Sequence, residues 1–242
     1  MAQVETPLSR MELLIGEENV EKLKTKCVMI VGVGGVGSYA AEAIARSGIG
    51  KIILVDNDVV AYSNLNRQIH ATFDTVGKDK CEMMKQRILS YRNDIEVVCK
   101  SMFYSEENND IIFDCHVDFV VDAIDTMTSK FALIKYCLNH KIAFISSMGM
   151  ANRLDPTKVE ISELMKTSYD PVAKIMRNLV RKNKIKGKIP VVCSSEQAIV
   201  QSKIVYEDGQ TRKEKMPPAS SPFVPCAAGL AIASYALKQL IK

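Results

Sequence analysis

Four glycines in one short segment suit the binding of a phosphate. They lie at Gly32, Gly34, Gly35 and Gly37 in CVMIVGVGGVG, between an apolar strand pattern and a helical pattern. Glycine lets a backbone turn tightly and approach a phosphate closely, and backbone N–H groups at the start of the following helix meet the negative charge. The segment therefore predicts a nucleotide-binding turn.

An acidic residue follows at the distance expected for a ribose contact. Asp56 ends the apolar segment KIILVD and comes 19 residues after Gly37. A carboxylate at that place accepts hydrogen bonds from ribose hydroxyls. The turn and the carboxylate together predict an adenosine nucleotide, and they leave NAD, FAD and ATP open.

A polar cluster after Asp56 favours phosphoryl or adenylyl transfer over hydride transfer. The cluster SNLNRQ contains Arg67, and Lys80 follows in the segment GKDK. Negative charge builds on a phosphate in the transition state, where a guanidinium meets it with two parallel hydrogen bonds and an ammonium meets it as a point charge. Hydride transfer requires neither cation, so these residues favour ATP.

Two carboxylates end a further apolar strand pattern, FVVDAIDT. They are Asp122 and Asp125. Ligands of parallel sheets bind at the carboxyl ends of the strands, and magnesium prefers oxygen ligands that it shares with nucleotide phosphates. We assign Asp125 to magnesium and Asp122 to a hydrogen bond at the end of the strand.

In this order and spacing, the motifs GxGxxG, DxD, SNLxRQ, GxxK and DxxD resemble the ubiquitin-activating-like adenylation superfamily, over roughly residues 8–150. The resemblance implies ATP-dependent adenylation of a carboxylate, in a homodimer. Its implied nucleotide contacts are the glycine turn around Gly35, with Asp56 and Asp58 of the DxD motif, and an arginine offered to the partner subunit's ATP at the position of Arg10. Its implied catalytic residues are Asn64, Arg67 and Lys80 at the transferring phosphate and Asp125 on magnesium.

The seven cysteines restrict which branch of this superfamily the chain can resemble. They lie at positions 27, 81, 99, 115, 137, 193 and 226, and no CxxC pair is present. Structural zinc in relatives uses two such pairs, so we expect no zinc. The interval between Cys137 and Cys193, where protein-activating relatives carry an acceptor cysteine, contains no thiol. Cys226 begins the last predicted helix, where amides at the helix start could lower the pKa of its thiol, and its role stays open between packing and catalysis.

The chain is also similar to a zinc-free branch, the tRNA threonylcarbamoyladenosine dehydratases. The similar segments are SSMGMANRLDPTKVEISEL, DPVAKIMRNLVRK, VVCSSE and SSPFVPCAAGLAIASYAL. The implied substrate is threonylcarbamoyladenosine beside a tRNA anticodon, whose carboxylate is adenylated by ATP. Its own urea oxygen then attacks, closes a ring and expels AMP, so a nucleophile held within the substrate replaces a catalytic cysteine.

Two other function classes remain as alternatives. The first is adenylation of the C-terminus of a ubiquitin-like sulfur-carrier protein, and docking of a sulfur-transfer protein also stays open. The second is an NAD-binding oxidoreductase or a catalytically silent nucleotide-binding scaffold. Arg67, Lys80 and Asp125 argue against the second class, because neither role requires two cations and a metal-binding carboxylate around a triphosphate.

Charge is distributed unevenly along the chain. Residues 1–150 carry 16 Lys and Arg against 20 Asp and Glu, whereas residues 151–242 carry 16 against 8. One predicted helix and its exit concentrate the excess, at Arg177, Arg181, Lys182, Lys184, Lys186 and Lys188, and a second cluster lies at Arg212, Lys213 and Lys215. These cations predict contacts with tRNA phosphates, with a solvated helix face as the equally open alternative.

The pattern of elements predicts one α/β domain, residues 1–242, with a nucleotide-binding half (1–150) and a basic substrate and dimer half (151–242). Strands near 27–31, 51–55, 96–100, 119–123 and 142–146 alternate with helices near 36–47, 79–92 and 127–139, which is typical of a Rossmann-like, mainly parallel sheet flanked by helices. The strands VEISEL, VVCSSE and SKIVYE predict a partly antiparallel C-terminal extension around a helix over 170–182.

The absence of a signal peptide predicts a cytoplasmic enzyme, and segment 224–241 is interpreted as a buried or interface helix outside any membrane.

Overall fold

A seven-stranded sheet forms the centre of the computed structural model, which describes residues 5–200 and 218–242. The strands are β1 Cys27–Val31, β2 Lys51–Val55, β3 Glu96–Lys100, β4 Phe119–Asp122, β5 Ala143–Ser147, β6 Val159–Glu163 and β7 Pro190–Ser194. Their order in the sheet is β3-β2-β1-β4-β5-β7-β6, and all pairs are parallel except β6 with β7. The predicted mainly parallel sheet and its partly antiparallel extension are confirmed, while the predicted strand SKIVYE lies outside the described residues.

Eight α-helices accompany the sheet in the described part of the chain. They are α1 Ser9–Ile15, α2 Glu17–Lys24, α3 Gly37–Arg46, α4 Lys80–Leu89, α5 Asn109–Ile112, α6 Met127–His140, α7 Pro171–Lys182 and α8 Phe223–Leu240. The helices predicted over 36–47, 79–92 and 127–139 are therefore present, with ends that differ by at most three residues. Asp79 ends the preceding loop and caps α4, because its carboxylate accepts the N–H of Glu82 at 2.8 Å.

The central strands are apolar throughout because helices cover both faces of the sheet. In β1, Val28 and Ile30 face a core that α3, α4 and α8 complete, whereas Met29 and Val31 face a core that α6 and α7 complete. All five residues of β1 are buried. A strand enclosed on both faces loses the alternation of polar and apolar residues, as the segment CVMIV does.

Helix α8 packs closely against α3. A Cβ at Gly229 would lie 2.5 Å from the carbonyl oxygen of Val36 and 2.8 Å from Cβ of Tyr39, so only glycine permits this crossing. Within the described residues, α8 is the one helix whose length and mean hydropathy would suit a membrane span. Its apolar side chains Val224, Ala228, Ile232 and Ala236 are nevertheless buried in the core, as a buried helix requires.

The order of the strands creates a crevice at one edge. Chain connections run from β1 to β2 on one side and later reach β4 on the other, so β1 lies where the order reverses. Open parallel sheets bind ligands outside the carboxyl ends of the strands at such a point. The glycine turn follows β1, Asp56 follows β2 and Asp125 follows β4, so the fold places all three at this edge.

Candidate active site

Two of the glycines in the turn are sterically required. Gly32 has φ of +92°, and a Cβ there would lie 2.6 Å from the carbonyl oxygen of Ala123. A Cβ at Gly37 would lie 1.8 Å from the carbonyl oxygen of Gly32. The turn therefore packs closely against the end of β4, and its own two ends are in contact. Helix α3 begins at the end of the turn, so its amino end lies at the crevice. This geometry suits a phosphate.

Asp56 is bonded to the glycine turn. Its Oδ2 accepts the N–H of Val33 at 2.7 Å and its Oδ1 accepts the N–H of Asp58 at 2.9 Å. Burial raises the pKa of the Asp56 carboxyl above its usual value, while the charge of Lys80 and these two N–H groups act in the opposite direction. The two N–H bonds fix the orientation of the carboxylate, and each oxygen retains capacity to accept a ribose hydroxyl.

Lys80 is a buried cation at the first turn of α4. Its side chain is 7% exposed, and Nζ donates to Oδ2 of Asp58 at 2.7 Å, whereas the Asp58 side chain is 60% exposed. Asp58 thus holds the ammonium from the solvent side. The exposed carboxylate of Asp58 is hydrated by solvent when the ion pair opens, so separation of the pair costs little. A phosphate at the crevice can therefore replace Asp58 as the partner of Lys80.

Arg67 and the glycine turn are in contact. A Cβ at Gly35 would lie 3.3 Å from Cγ of Arg67, so a larger residue at position 35 would displace this side chain by a few tenths of an ångström. The buried Asn64 shapes the preceding turn: its Oδ1 accepts the N–H of Ala61 at 3.0 Å, and its carbonyl oxygen accepts the N–H of Arg67 at 3.0 Å. Asn64 therefore orients the backbone that carries Arg67.

The two carboxylates after β4 differ in their surroundings. Asp122 is fully buried and bonded to Lys130, Ser146 and the N–H of Ile124. Asp125 is exposed, and its one hydrogen bond among the described residues comes from Thr126 Oγ1 at 3.4 Å. The structure agrees with a structural role for Asp122 and leaves Asp125 able to bind a cation. No group of three or more metal-binding side chains occurs in the described ranges.

The start of α8 completes the site, although the sequence alone did not place it there. A Cβ at Gly35 would lie 3.2 Å from Cβ of Pro225, and Sγ of Cys226 lies 3.9 Å from the carbonyl oxygen of Arg67. The helix amides do not lower the pKa of Cys226 below its ordinary value. Burial raises the pKa of this thiol, and the hydrogen bond from Tyr39 offsets only part of that effect.

Two buried polar side chains beside the site have atoms without a hydrogen-bond partner in the described structure. Oε1 of Gln68 and both ring nitrogens of His70 have no hydrogen-bond partner among the described residues. Burial, with the positive charges of Lys80 and Arg87, lowers the pKa of His70 to about 4. His70 is therefore neutral near pH 7 and sits between the arginine motif and α4.

Arg10 lies away from the crevice of its own subunit. It is an exposed residue of α1. Leu8, two residues earlier, contacts Gly48, since a Cβ at Gly48 would lie 3.5 Å from Cδ1 of Leu8. Gly48 follows the carboxyl end of α3, and this ten-residue helix spans about 15 Å from the glycine turn. The structure brings Asp56, Lys80, Arg67 and the glycines together and does not bring Arg10 to them.

The cations of α7 and its exit form an exposed basic surface, which we call the α7 basic surface and define as Lys174, Arg181, Lys182, Lys184, Lys186 and Lys188. None of them takes part in an ion pair between described residues. Arg177 differs, because it is half-buried and donates to the carbonyl oxygen of Thr167 at 3.0 Å. The second predicted cluster, Arg212, Lys213 and Lys215, lies outside the described residues.

Known proteins share this fold and sequence. The chain matches the ThiF family over residues 8–240. It is 46% identical over 239 residues to the tRNA threonylcarbamoyladenosine dehydratase of Bacillus subtilis, covering 97% of this chain and 94% of that protein. The crystal structure of E. coli tRNA N6-threonylcarbamoyladenosine dehydratase in complex with ATP superposes with a TM-score of 0.86 at 33% identity, covering 97% of this chain and 93% of that one. The complex of the same E. coli enzyme with AMP gives 0.87 at 32% identity, covering 97% and 94%.

The similarity extends along almost the whole chain and includes the glycine turn, the arginine motif and the start of α8. The chain belongs to the ThiF family, among the tRNA threonylcarbamoyladenosine dehydratases.

Proposed function

We propose that the chain catalyses the ATP-dependent cyclisation, by dehydration, of N6-threonylcarbamoyladenosine next to the anticodon of tRNA. The observation that carries this proposal is the position of Arg67 against the glycine turn and of the buried Lys80 beside Asp56 and Asp58, in a chain similar to enzymes with that name. The E. coli relative has been crystallised with ATP and with AMP, which are the consumed and released nucleotides of an adenylation.

In the first step, the threonyl carboxylate attacks the α-phosphorus of ATP and pyrophosphate leaves. The triphosphate lies along the turn at Gly34 and Gly35, and Asp56 accepts hydrogen bonds from the ribose. Negative charge increases on the α-phosphate as the new bond forms. The cations of Arg67 and Lys80 stabilise that charge, and the Asn64 turn keeps Arg67 against Gly35.

Asp125 suits a hard cation because its carboxylate is exposed at the edge where the phosphates would lie. We propose that Asp125 holds magnesium through shared phosphate oxygens. When bound, the ion would neutralise charge on the leaving pyrophosphate. No zinc enters the proposal.

In the second step, the urea oxygen of the same modification attacks the acyl carbon of the adenylate. A ring C–O bond forms, the bond from that carbon to AMP breaks, and the urea nitrogen releases its proton to solvent. The carboxylate oxygen departs with AMP, so the nucleoside loses one water in total. The reacting groups are held within one substrate, which replaces a protein nucleophile. The raised pKa of the Cys226 thiol supports this assignment, because burial keeps it protonated and weakly nucleophilic.

We propose that the α7 basic surface binds the phosphates of the tRNA, with Arg181, Lys182 and Lys184 as its centre.

We also propose that the chain is a single cytoplasmic domain and acts as a homodimer outside the membrane. The pairing of β7 with β5 supports one domain across both halves. In α1, exposed Leu13 and Leu14 support a subunit interface from which Arg10 could reach the partner's nucleotide.

Mass spectrometry of nucleosides tests the function. Threonylcarbamoylated tRNA is incubated with the protein and Mg-ATP, digested gently and examined for loss of one water. We expect that loss with ATP and not without it, together with AMP. Unchanged nucleoside with folded protein would reject the proposal and favour a carrier protein as substrate, which ATP consumption with a chain ending in Gly-Gly would then test.

A further inference from the structure

Arg67 has one occupied and one free edge. Its Nη1 donates to the carbonyl oxygen of Ser63 at 2.8 Å and to Oδ1 of Asn66 at 2.9 Å. Its Nε and Nη2 have no hydrogen-bond partner among the described residues. These two nitrogens form the edge with which arginine makes two parallel hydrogen bonds to a phosphate. The bonds at Nη1 therefore set the direction in which the free edge points.

Asn66 is itself held from its other side. Its Nδ2 donates to the carbonyl oxygen of Ser220 at 2.9 Å, across 154 positions of sequence. Both ends of the Asn66 amide are thus occupied, the oxygen by the arginine and the nitrogen by a carbonyl group. An amide with a donor on one side and an acceptor on the other has a single favourable orientation.

The backbone that carries Ser220 is fixed in turn by Asn152, which follows β5. The N–H of Ala219 donates to Oδ1 of Asn152 at 3.0 Å, and the N–H of Asn152 donates to the carbonyl oxygen of Ala219 at 2.8 Å. Hydrogen bonds from Asn152 to Ala219, the peptide bond between Ala219 and Ser220, and hydrogen bonds from Ser220 to Asn66 and from Asn66 to Arg67 therefore connect Asn152 with the guanidinium.

We propose that Asn66 is a positioning residue that holds the Arg67 guanidinium with its Nε and Nη2 edge toward the transferring phosphate. The proposal rests on the proposed adenylation. An unrestrained arginine side chain loses rotamer freedom when it binds the phosphate in the transition state. A guanidinium that is already oriented loses less conformational entropy at that point. Asn66 thus contributes to the transition state without touching the substrate.

A purely structural role for Asn66 predicts different behaviour. If Asn66 only tied residues 219–220 to the SNLNRQ turn, its loss would affect the protein equally with or without Arg67. If Asn66 acts through Arg67, its loss has no effect once the guanidinium is gone. A double-mutant cycle separates the two roles.

The cycle uses Asn66→Ala, Arg67→Ala and the double variant, with AMP formation from threonylcarbamoylated tRNA measured in single turnovers. We expect Asn66→Ala to lower the rate about tenfold in the Arg67 background, the effect of one hydrogen bond, with the KM for ATP and the melting temperature unchanged. In the Arg67→Ala background we expect no further loss. An equal loss in both backgrounds would overturn the proposal.

A second measurement does not depend on activity. NMR of the arginine side-chain nitrogens reports rotation about the Cζ–Nε bond, and Arg67→Lys identifies the Arg67 signal by its disappearance. We expect resolved, slowly exchanging Nη signals in the unchanged protein and averaged signals in Asn66→Ala. Equal rotation rates in both would overturn the positioning role. A protein that consumes no ATP would instead reject the proposed function, while the NMR result still decides the role of Asn66.

Discussion

Asp122 and Lys130 form a buried ion pair, in which Oδ1 and Nζ are 2.9 Å apart and each side chain is 1% exposed. Oγ of Ser146 donates to the other carboxylate oxygen at 2.5 Å. The pair connects the end of β4 with α6 and β5. Asp125, three residues later, lies outside this network and is exposed. Two carboxylates of one motif therefore serve separate purposes.

We expect Asp122→Asn to lower the free energy of unfolding by about 3–5 kcal/mol, because it leaves the ammonium of Lys130 buried without an anion. Chemical denaturation measures this change. The matched control is Asp125→Asn, for which we expect a change within about 0.5 kcal/mol. In the activity assay, Asp125→Asn should raise the magnesium concentration required for half-maximal rate. Similar stability losses in both variants would contradict the distinction.

Replacement of Arg67 should affect chemistry far more than nucleotide binding. We expect Arg67→Ala to lower kcat about 100- to 1,000-fold, as for other donors that act mainly in the transition state, with little change in the Kd for ATP. Single-turnover kinetics and calorimetry measure the two quantities. Lys78→Ala is the control, since Lys78 is an exposed cation two residues before Lys80. Parallel losses of binding and turnover at Arg67 would remove it from the chemical step.

The α7 basic surface should determine the salt dependence of tRNA binding. Each phosphate contact contributes about 0.7–0.9 to the slope of log K against log salt, so the joint replacement of Arg181, Lys182 and Lys184 by Gln should flatten it by about 2. Filter binding at several salt concentrations measures the slope. Replacement of Lys22, Lys24 and Lys85, which lie on α2 and α4, removes the same charge elsewhere and should leave the slope unchanged.

Arg177 provides a second comparison within α7. Its guanidinium donates hydrogen bonds to Thr167. We therefore expect Arg177→Gln to lower the free energy of unfolding and to leave the salt slope of tRNA binding unchanged. Helical periodicity could have predicted this. Ala173, Met176 and Val180 form the buried face of α7, and Arg177 lies four residues after the first and three before the last.

His70 should make the folded state less stable in mild acid. Burial and the charges of Lys80 and Arg87 lower its pKa from 6.5 to about 4. Between these values the unfolded chain takes up a proton that the folded protein does not, so the free energy of unfolding falls as the pH decreases, by up to about 3 kcal/mol. Above pH 7 this contribution is constant.

His70→Leu tests this pH dependence, because the ring nitrogens have no partners in the described structure and an apolar side chain leaves no described donor or acceptor unpaired. We expect the variant to lose less stability than the unchanged protein between pH 7.5 and pH 4.5, as measured by denaturation at each pH. Parallel curves for the two proteins would mean that the pKa of His70 is the same in the folded and unfolded states.

Local motifs predicted the parallel core of the fold and the half of the site that follows β1, β2 and β4, because strand, turn and polar residue are adjacent in the chain there. Contacts across long sequence separations were not predictable in this way. The approach of Pro225 to Gly35 and the bond from Asn66 to Ser220 arise only when α8 packs on α3. The direction of the Cys226 pKa could not be predicted for the same reason, since tertiary burial outweighs the helix amides.

Asn152 joins two such distant segments, and its backbone explains its residue type. Its φ is +60°, its carbonyl oxygen accepts the N–H of Ile199 at 2.7 Å, and its amide side chain accepts the N–H of Ala219. Asparagine tolerates a positive φ better than most residues, and glycine tolerates it without a steric cost. Backbone and side-chain contributions at Asn152 can therefore be separated by substitution.

Asn152→Gly and Asn152→Ala both remove the side-chain bond to the N–H of Ala219. Alanine keeps a Cβ at positive φ, whereas glycine removes it and adopts this backbone conformation without a steric cost. We expect the alanine variant to be about 1 kcal/mol less stable than the glycine variant, measured by denaturation. Because the N–H of Asn152 still bonds to Ala219 in the glycine variant, its kcat should fall less than that of Asn66→Ala. A larger fall in Asn152→Gly would mean that Asn152 acts on the site by a route other than Asn66.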